Sequence, residues 1–168
     1  DMADLLNVEV DTRSIRSASG YVGYGSATGP FYGGFHAKFS GGTNRLIRQR
    51  GTVLEYDNGS GTWTACTMPL TGSPAATFVP SALPCTFEML NDVVLWSNGT
   101  DSVLSTTDGI TWTERASLPK AKILFNNGLN RILFVAQPSV PSRVDWSDIN
   151  DPLTVGASSY QFFGKNDG

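Results

Sequence analysis

Residues 103–119 read VLSTTDGITWTERASLP, and residues 53–69 have already read VLEYDNGSGTWTACTMP. In both, a Val-Leu pair enters a polar turn holding Asp and Gly, a Thr-Trp-Thr triplet leaves it, and a polar stretch closes on proline. The Val-Leu pairs recur after 50 residues (53 to 103) and the Trp residues after 49 (63 to 112), which places a one-residue insertion or deletion inside the turn. Length changes concentrate at hairpin tips, so each copy is expected to be two strands around a turn. A recurrence at about 40–50 residues marks a repeat architecture with one small sheet per unit.

From residue 34 the chain divides into three such units. Each opens with an aromatic-bearing strand (35–39, 87–90, 123–125) and turns at Asn44-Arg45, Asn91-Asp92 or Asn130-Arg131. An apolar strand follows (46–47, 93–96, 132–135), then a third strand (52–56, 102–106, 142–146). A fourth strand around Thr62-Trp63-Thr64 or Thr111-Trp112-Thr113 closes the first two units, and the run SDINDP at 147–152 takes its place in the third. One small sheet cannot bury both faces, so the units must stack, with the apolar strands between them. The expected fold is all-β: a partial β-propeller of about three four-stranded antiparallel blades at approximately 34–70, 85–119 and 121–160. Propellers close with about four to eight blades. Three are therefore expected to belong to a longer propeller, to be completed by another chain, or to form an open stack.

Residues 1–33 differ in texture. Short alternating strands are expected at 5–10 and 14–17, followed by the Gly-rich run SASGYVGYGSATGPFYGG. Disordered linkers are poor in aromatics, so this arm is expected to dock through Tyr21, Tyr24, Phe31 and Tyr32, the candidate subunit contacts.

Composition supports the β reading: among 168 residues there are 18 Gly and 9 Pro, only 16% are charged, and no long window has helical periodicity. A net charge of −3 argues against a general nucleic-acid grip. The basic run RLIRQR at 45–50 reads as solvent-facing alternation on a strand. Cys66 and Cys85 lack metal-ligand spacing and are expected as free, partly buried thiols, pairing only if their strands are neighbours. No signal-peptide pattern is present, and no apolar run approaches the ~20 residues of a membrane span, so no membrane insertion is expected. The acceptor-like triplets at Asn58 and Asn98 read as Asn-Gly turns.

Asp108-Gly109-Ile110-Thr111-Trp112 comes close to the Asp-box hairpin, S-x-D-x-G-x-T-W, with Asp and Gly adjacent rather than one residue apart. In that hairpin Asp accepts backbone hydrogen bonds, Gly supplies positive φ and Trp packs beneath. Asp57, Gly61 and Trp63, with Asp108, Gly109 and Trp112, are therefore structural hairpin residues. Catalysis is not expected: Glu9, Glu55, Glu88 and Glu114 are scattered, the arginines do not recur at one end of the units, and no phosphate loop is present. His36, the single histidine, reads as a packing residue. Asp145, Asp148, Asn150 and Asp151 lack the spacing and glycine of a calcium loop. Asp148, Asp151 and Pro152 instead read as a capped structural turn. No metal or cofactor is expected.

The third unit also carries a family likeness. NRILFVA at 130–136, Pro138 to Arg143, and VDWSDINDP at 144–152 resemble a run found in tailed-bacteriophage tail nozzle (tubular) proteins and related β-propeller tail proteins. In the same order, LNVEVD at 6–11 and IRSASGY at 15–21 resemble the family's opening. LEYD at 54–57 with Gly61-Thr62-Trp63 resembles a hairpin, VLWSNG at 94–99 a strand, and GKNDG at 164–168 the start of a following blade. Ala18 and Ser19 stand where the family has a basic residue and often proline, and Gln137 replaces a common glycine. The resemblance implies a non-enzymatic structural component of a virion tail, made in the host cytoplasm. It implies a homo-oligomeric ring in contact with other tail proteins, with DNA passing through without sequence-specific binding. It also implies that further blades follow. The alternatives are a carbohydrate- or receptor-binding propeller module, favoured by an exposed Trp96 or Trp146, and a sialidase-like glycosidase fragment, favoured by two carboxylates at one end of the blades.

Overall fold

The structure is a computed structural model that describes residues 8–11, 14–17, 29–72 and 75–163, the first two segments by their backbone. It is all-β, with no helix among the described residues and every named strand pair antiparallel. β1 (Val8–Asp11) and β2 (Ser14–Ser17) form a hairpin. β3 (Phe31–Lys38), β4 (Asn44–Arg50), β5 (Val53–Asp57) and β6 (Thr64–Ala65) form the first four-stranded sheet. A small hairpin, β7 (Leu70–Thr71) with β8 (Ala76–Thr77), leads to the second sheet of β9 (Thr86–Leu90), β10 (Val93–Ser97), β11 (Val103–Thr106) and β12 (Thr113–Arg115). The third comprises β13 (Ile123–Asn126), β14 (Ile132–Val135), β15 (Arg143–Trp146) and β16 (Tyr160–Phe162). In all three, sequence order is spatial order, as short turns between antiparallel strands dictate.

The sheets stack in chain order, with β3 beside β9 and β9 beside β13. Strand alternation then decides what lies between them. Ala37, Ile47 and Leu54 of the first sheet meet Phe87, Val94, Trp96, Leu104 and Trp112 of the second. The opposite face of the second sheet, with Leu90, Leu95 and Val103, meets Leu124, Ile132 and Phe134 of the third. The middle sheet is thus buried on both sides, which explains why VVLW at 93–96 is continuously apolar rather than alternating. Burying each such side chain contributes roughly 1.5–3 kcal/mol.

Polar links reinforce the stack. Gln49, fully buried, donates through Nε2 to the carbonyls of Gly51 and Ser81 and accepts from Trp96 Nε1 at 3.1 Å. Asn126 donates through its backbone to Glu88 and through Nδ2 to Met89 O. At one end, Ser40 donates to Asp92 and Asn91 donates to Asn150 O, tying three turns together across the sheets.

Several expectations change. The first sheet begins at Phe31, so Phe31 and Tyr32 are strand residues rather than part of an arm; Tyr32 packs on the core, while Tyr21 and Tyr24 lie outside the described residues. The third sheet does have a fourth strand. The chain makes its 147–152 turn and then returns as β16, pairing Arg143 with Phe162. Thr64–Ala65 and Thr113–Arg115, rather than strands centred on the two Trp residues, form the fourth strands of the first two sheets. The GKNDG run and residues 6–7 lie outside the described residues.

Candidate functional site

The two hairpins first matched by sequence are related by 49 residues throughout, without a length change. Leu54 faces the second sheet, whereas Leu104 faces the first, so these two are not equivalent; Val103, which faces the third sheet, is the counterpart of Leu54. A one-residue slip of a strand exchanges its faces, which is why identical letters 50 apart mislead. Under the 49-residue relation Asp57 corresponds to Thr106, and the hydrogen bonds agree. Asp57 Oδ1 accepts from Gly59 N at 2.7 Å and Ser60 N at 2.9 Å. Thr106 Oγ1 accepts from Asp108 N at 3.3 Å and Gly109 N at 3.0 Å. Asp108 is an added cap that accepts from Ile110 N at 2.7 Å and Thr111 N at 2.8 Å. Burial opposes its ionisation, but these bonds and one from Thr106 outweigh it and hold the carboxyl below its ordinary range. Gly109 has φ +75°, a backbone conformation that favours glycine, and a Cβ there would sit 3.0 Å from Arg45 Cγ, so that side chain would have to shift. Gly61 has φ +83°.

Trp63 and Trp112 lie on the same side of their sheets but meet different surroundings. Trp112 is 2% exposed, sealed between the first two sheets with its ring edge toward Phe87 at 6.3 Å. Trp63 is half-buried on the outer face of the first sheet, with the Arg48 guanidinium 3.8 Å from its ring centre. It is therefore not the core clamp that Trp112 is. The segment after β6 reaches across instead: Thr67 N donates to Ile110 O and accepts Trp112 N at its carbonyl, both at 2.9 Å.

That outer face also reverses two expectations. The 45–50 run is not a solvated alternation, because Arg48 is buried and donates through Nε to Glu55 at 2.8 Å, and Arg50 binds the same carboxylate at 2.6 Å. Burial disfavours ionised Glu55, yet the two guanidinium groups outweigh it and lower its pKa. His36 is exposed rather than packed. Phe31, 65% exposed, folds over Gly34, and with Leu46 and Trp63 it borders a shallow groove of about 380 Å³.

The outer face of the third sheet is apolar. Ile123 pairs with Val135, Phe125 with Leu133 and Leu133 with Trp146, so these side chains share a face. Ile123 is 47% and Phe125 54% exposed, and the rest are half-buried. Behind this face Asp145 is fully buried, held by Arg143 at 2.5 Å and by Gln137. Asp145 is thereby separated from the turn: Asp148 N donates to Thr154 O, Asp151 Oδ1 accepts from Leu153 N at 2.9 Å, and Pro152 is buried. Among the described residues no three His, Cys, Asp or Glu are grouped to hold a metal.

Cys66 and Cys85 are free. Burial pushes the Cys66 thiol up to about 12 and the Cys85 thiol to about 11. Cys85 borders a cavity of about 340 Å³ together with Pro84, Asn98, Thr100 and Lys122. Trp96 is fully buried, and Asn98 caps its own turn by accepting from Thr100 N and Asp101 N at 2.9 Å. No described helix is long and apolar enough to cross a membrane. No family model, curated protein or solved structure gives a significant match to this chain.

Sequence reasoning located the hairpins but missed both end faces. The signals available were the odd-numbered apolar residues 123, 125, 133 and 135, and Glu55, one of two acids on the strand paired with the basic run and directly opposite Arg48.

Proposed function

We propose that this chain is a structural component of a tailed-phage virion, at the nozzle, tube end or adaptor, in which its three sheets serve as blades of a β-propeller and build a ring wall by subunit assembly. The reading rests on the ordered resemblance of residues 6–168 to tail nozzle proteins. One observation carries it further: the middle sheet is covered on both faces, while both terminal sheets keep large apolar side chains on their outer faces. Such a stack is a segment of a larger wall, because an apolar sheet face in water forgoes the stabilisation that its neighbour gains. Its role is mechanical: antiparallel sheets locked by Gln49, Asn91 and Asn126 resist shear, and DNA passes such a wall without base-specific contact.

Immunogold labelling tests the assignment. Antibodies raised against the purified chain are expected to decorate one end of the tail in intact particles of the phage that encodes it. Labelling of infected-cell extract with none on purified particles would overturn it. The carbohydrate-binding alternative depended on an exposed Trp96 or Trp146. Trp96 is inaccessible and Trp146 sits among aliphatic neighbours, so no specific observation favours it.

A further inference from the structure

We infer that the outer face of the first sheet is a docking surface for an acidic polypeptide segment in extended form, with apolar residues seated in its groove and a carboxylate at each end. Such docking is independent of the virion assignment and of what covers the third sheet.

The two end faces differ in charge. On the third sheet the paired positions Ile123, Val135, Phe125, Leu133 and Trp146 bring no charged side chain to the outer side. On the first, register places Lys38, Arg48 and Arg50 on the outer side with Glu55 and Asp57. Both carboxylates are buried. Glu55 lies between the two guanidinium groups, and Asp57 serves its own turn, where Oδ1 accepts from Gly59 N and Ser60 N. Lys38 is exposed, and the Arg50 side chain is 33% exposed. What a partner meets on this face is therefore positive charge. A neutral surface laid over it would strip the cations of water with nothing to offset the loss, whereas carboxylates replace that water with charge-assisted hydrogen bonds.

The placement of the cations sets the shape of the occupant. Arg50 pairs with Phe31 at one end of β3 and β4, and Lys38 pairs with Asn44 at the other. Along β4 those ends are about 20 Å apart. Between them Phe31, Gly34, Leu46 and Trp63 border the groove of about 380 Å³. A strand of the same seven residues as β4 spans that distance, and its odd positions face one way. Acids at positions one and seven, with apolar residues at three and five, meet both cations and the groove together. Nucleic acid fits this face less well. The Trp63 ring is covered by Arg48 at 3.8 Å, and the Phe31 ring lies over Gly34, so each already has one face taken from any stacking base. Two accessible cations, Lys38 and Arg50, also release few counterions from a phosphate backbone.

Fluorescence anisotropy of the fluorescein-labelled peptide Glu-Thr-Leu-Thr-Leu-Thr-Glu tests this on the full chain, at protein concentrations up to about 1 mM. Saturable binding that weakens as salt is raised is expected, with none for the same peptide carrying Lys at both ends. Lys38→Glu, at an exposed position, is expected to weaken binding about tenfold, and Phe31→Ala, which removes a wall of the groove, by a similar factor. Lys120→Glu makes the same charge change at an exposed position between the second and third sheets and is expected to leave binding unchanged. Far-UV circular dichroism of all three variants is expected to stay that of the wild type. Absence of binding overturns the proposal. Equal weakening by Lys38→Glu and Lys120→Glu also overturns it, because the peptide would then be answering to net charge alone. A ten-nucleotide oligothymidine that binds more tightly than the peptide, with the same dependence on Lys38, overturns it in favour of nucleic acid. None of these outcomes bears on virion labelling, so the two proposals fail separately.

Discussion

Replacing each repeated tryptophan by alanine tests the stacking directly, because the two residues share a sequence context and differ only in what covers them. Trp112 is 2% exposed among Phe87, Leu104 and Ile47, and truncating a core tryptophan costs about 3–5 kcal/mol in lost transfer energy and cavity. For a chain of this length that corresponds to a fall in Tm on the order of 10 °C. Trp63 covers one side of the Arg48 guanidinium at 3.8 Å, an interaction of about 0.5–2 kcal/mol at a partly exposed site. The expected gap between the two variants is therefore at least ~1 kcal/mol. Urea unfolding followed by far-UV circular dichroism measures it without relying on the fluorophore being removed. Equal losses would refute the reasoning, since they would mean that the outer side of the first sheet is as deeply covered as the space between the first two sheets.

The thiols are expected to be inert when folded. With Cys66 near 12 and Cys85 near 11, the thiolate fraction at pH 7 is roughly a hundredfold or more below that of a free cysteine, so neither should react with an aromatic disulfide until denaturant is added. Rapid labelling of the native protein would contradict the burial. Gly33→Ala should destabilise by about 1–3 kcal/mol, because a Cβ there would lie 2.6 Å from Cys85 O and 2.7 Å from its sulfur, whereas Gly41→Ala, with open space around it, should shift the urea midpoint by less than measurement error. Acidification should destabilise the fold. Glu55, Asp92 and Asp108 all have folded pKa values below their ordinary 4.5 or 3.8, so their contribution is complete above those values and is lost as pH falls through the depressed ones. A Tm that is level from pH 7 to about 5 and declines below about 4 is expected; a Tm that rises on acidification would contradict the carboxylate contacts.

Much of the fold was legible because β structure advertises itself locally. The Asn-Gly and Asp-Gly turns and the β-branched runs between them located three units and their first three strands to within a few residues, and the repeated Thr-Trp-Thr marked the closing strand of the first two. Register was less legible. The Val-Leu pairs at 53 and 103 are the same two letters, yet Leu54 and Leu104 point to opposite sides of their sheets, and only the hydrogen-bonded partners reveal it: Leu54 opposite Gln49, Leu104 opposite Trp96. Likewise, SDINDP reads as an ending, and nothing local announces that the chain comes back at Tyr160 to complete the sheet. There the strand is held by the Arg143 guanidinium over the Tyr160 ring at 4.0 Å, a contact between residues 17 positions apart (143 to 160).

The sequence by itself determined the small sheets, because strand and turn preferences act over a few residues and each hairpin closes on itself. Which faces became core was decided only by the tertiary structure. Arg48 and Leu95 both occupy central strands, and Trp63 and Trp112 close equivalent hairpins, but a side chain's surroundings depend on which sheet lies opposite. For the second sheet both sides are taken, so Leu95 and Trp112 are sealed. For the first, one side is not taken by any described sheet, and that side carries an arginine, its carboxylate and a half-buried indole. Burial is a property of pairs of faces, and no single strand encodes its partner.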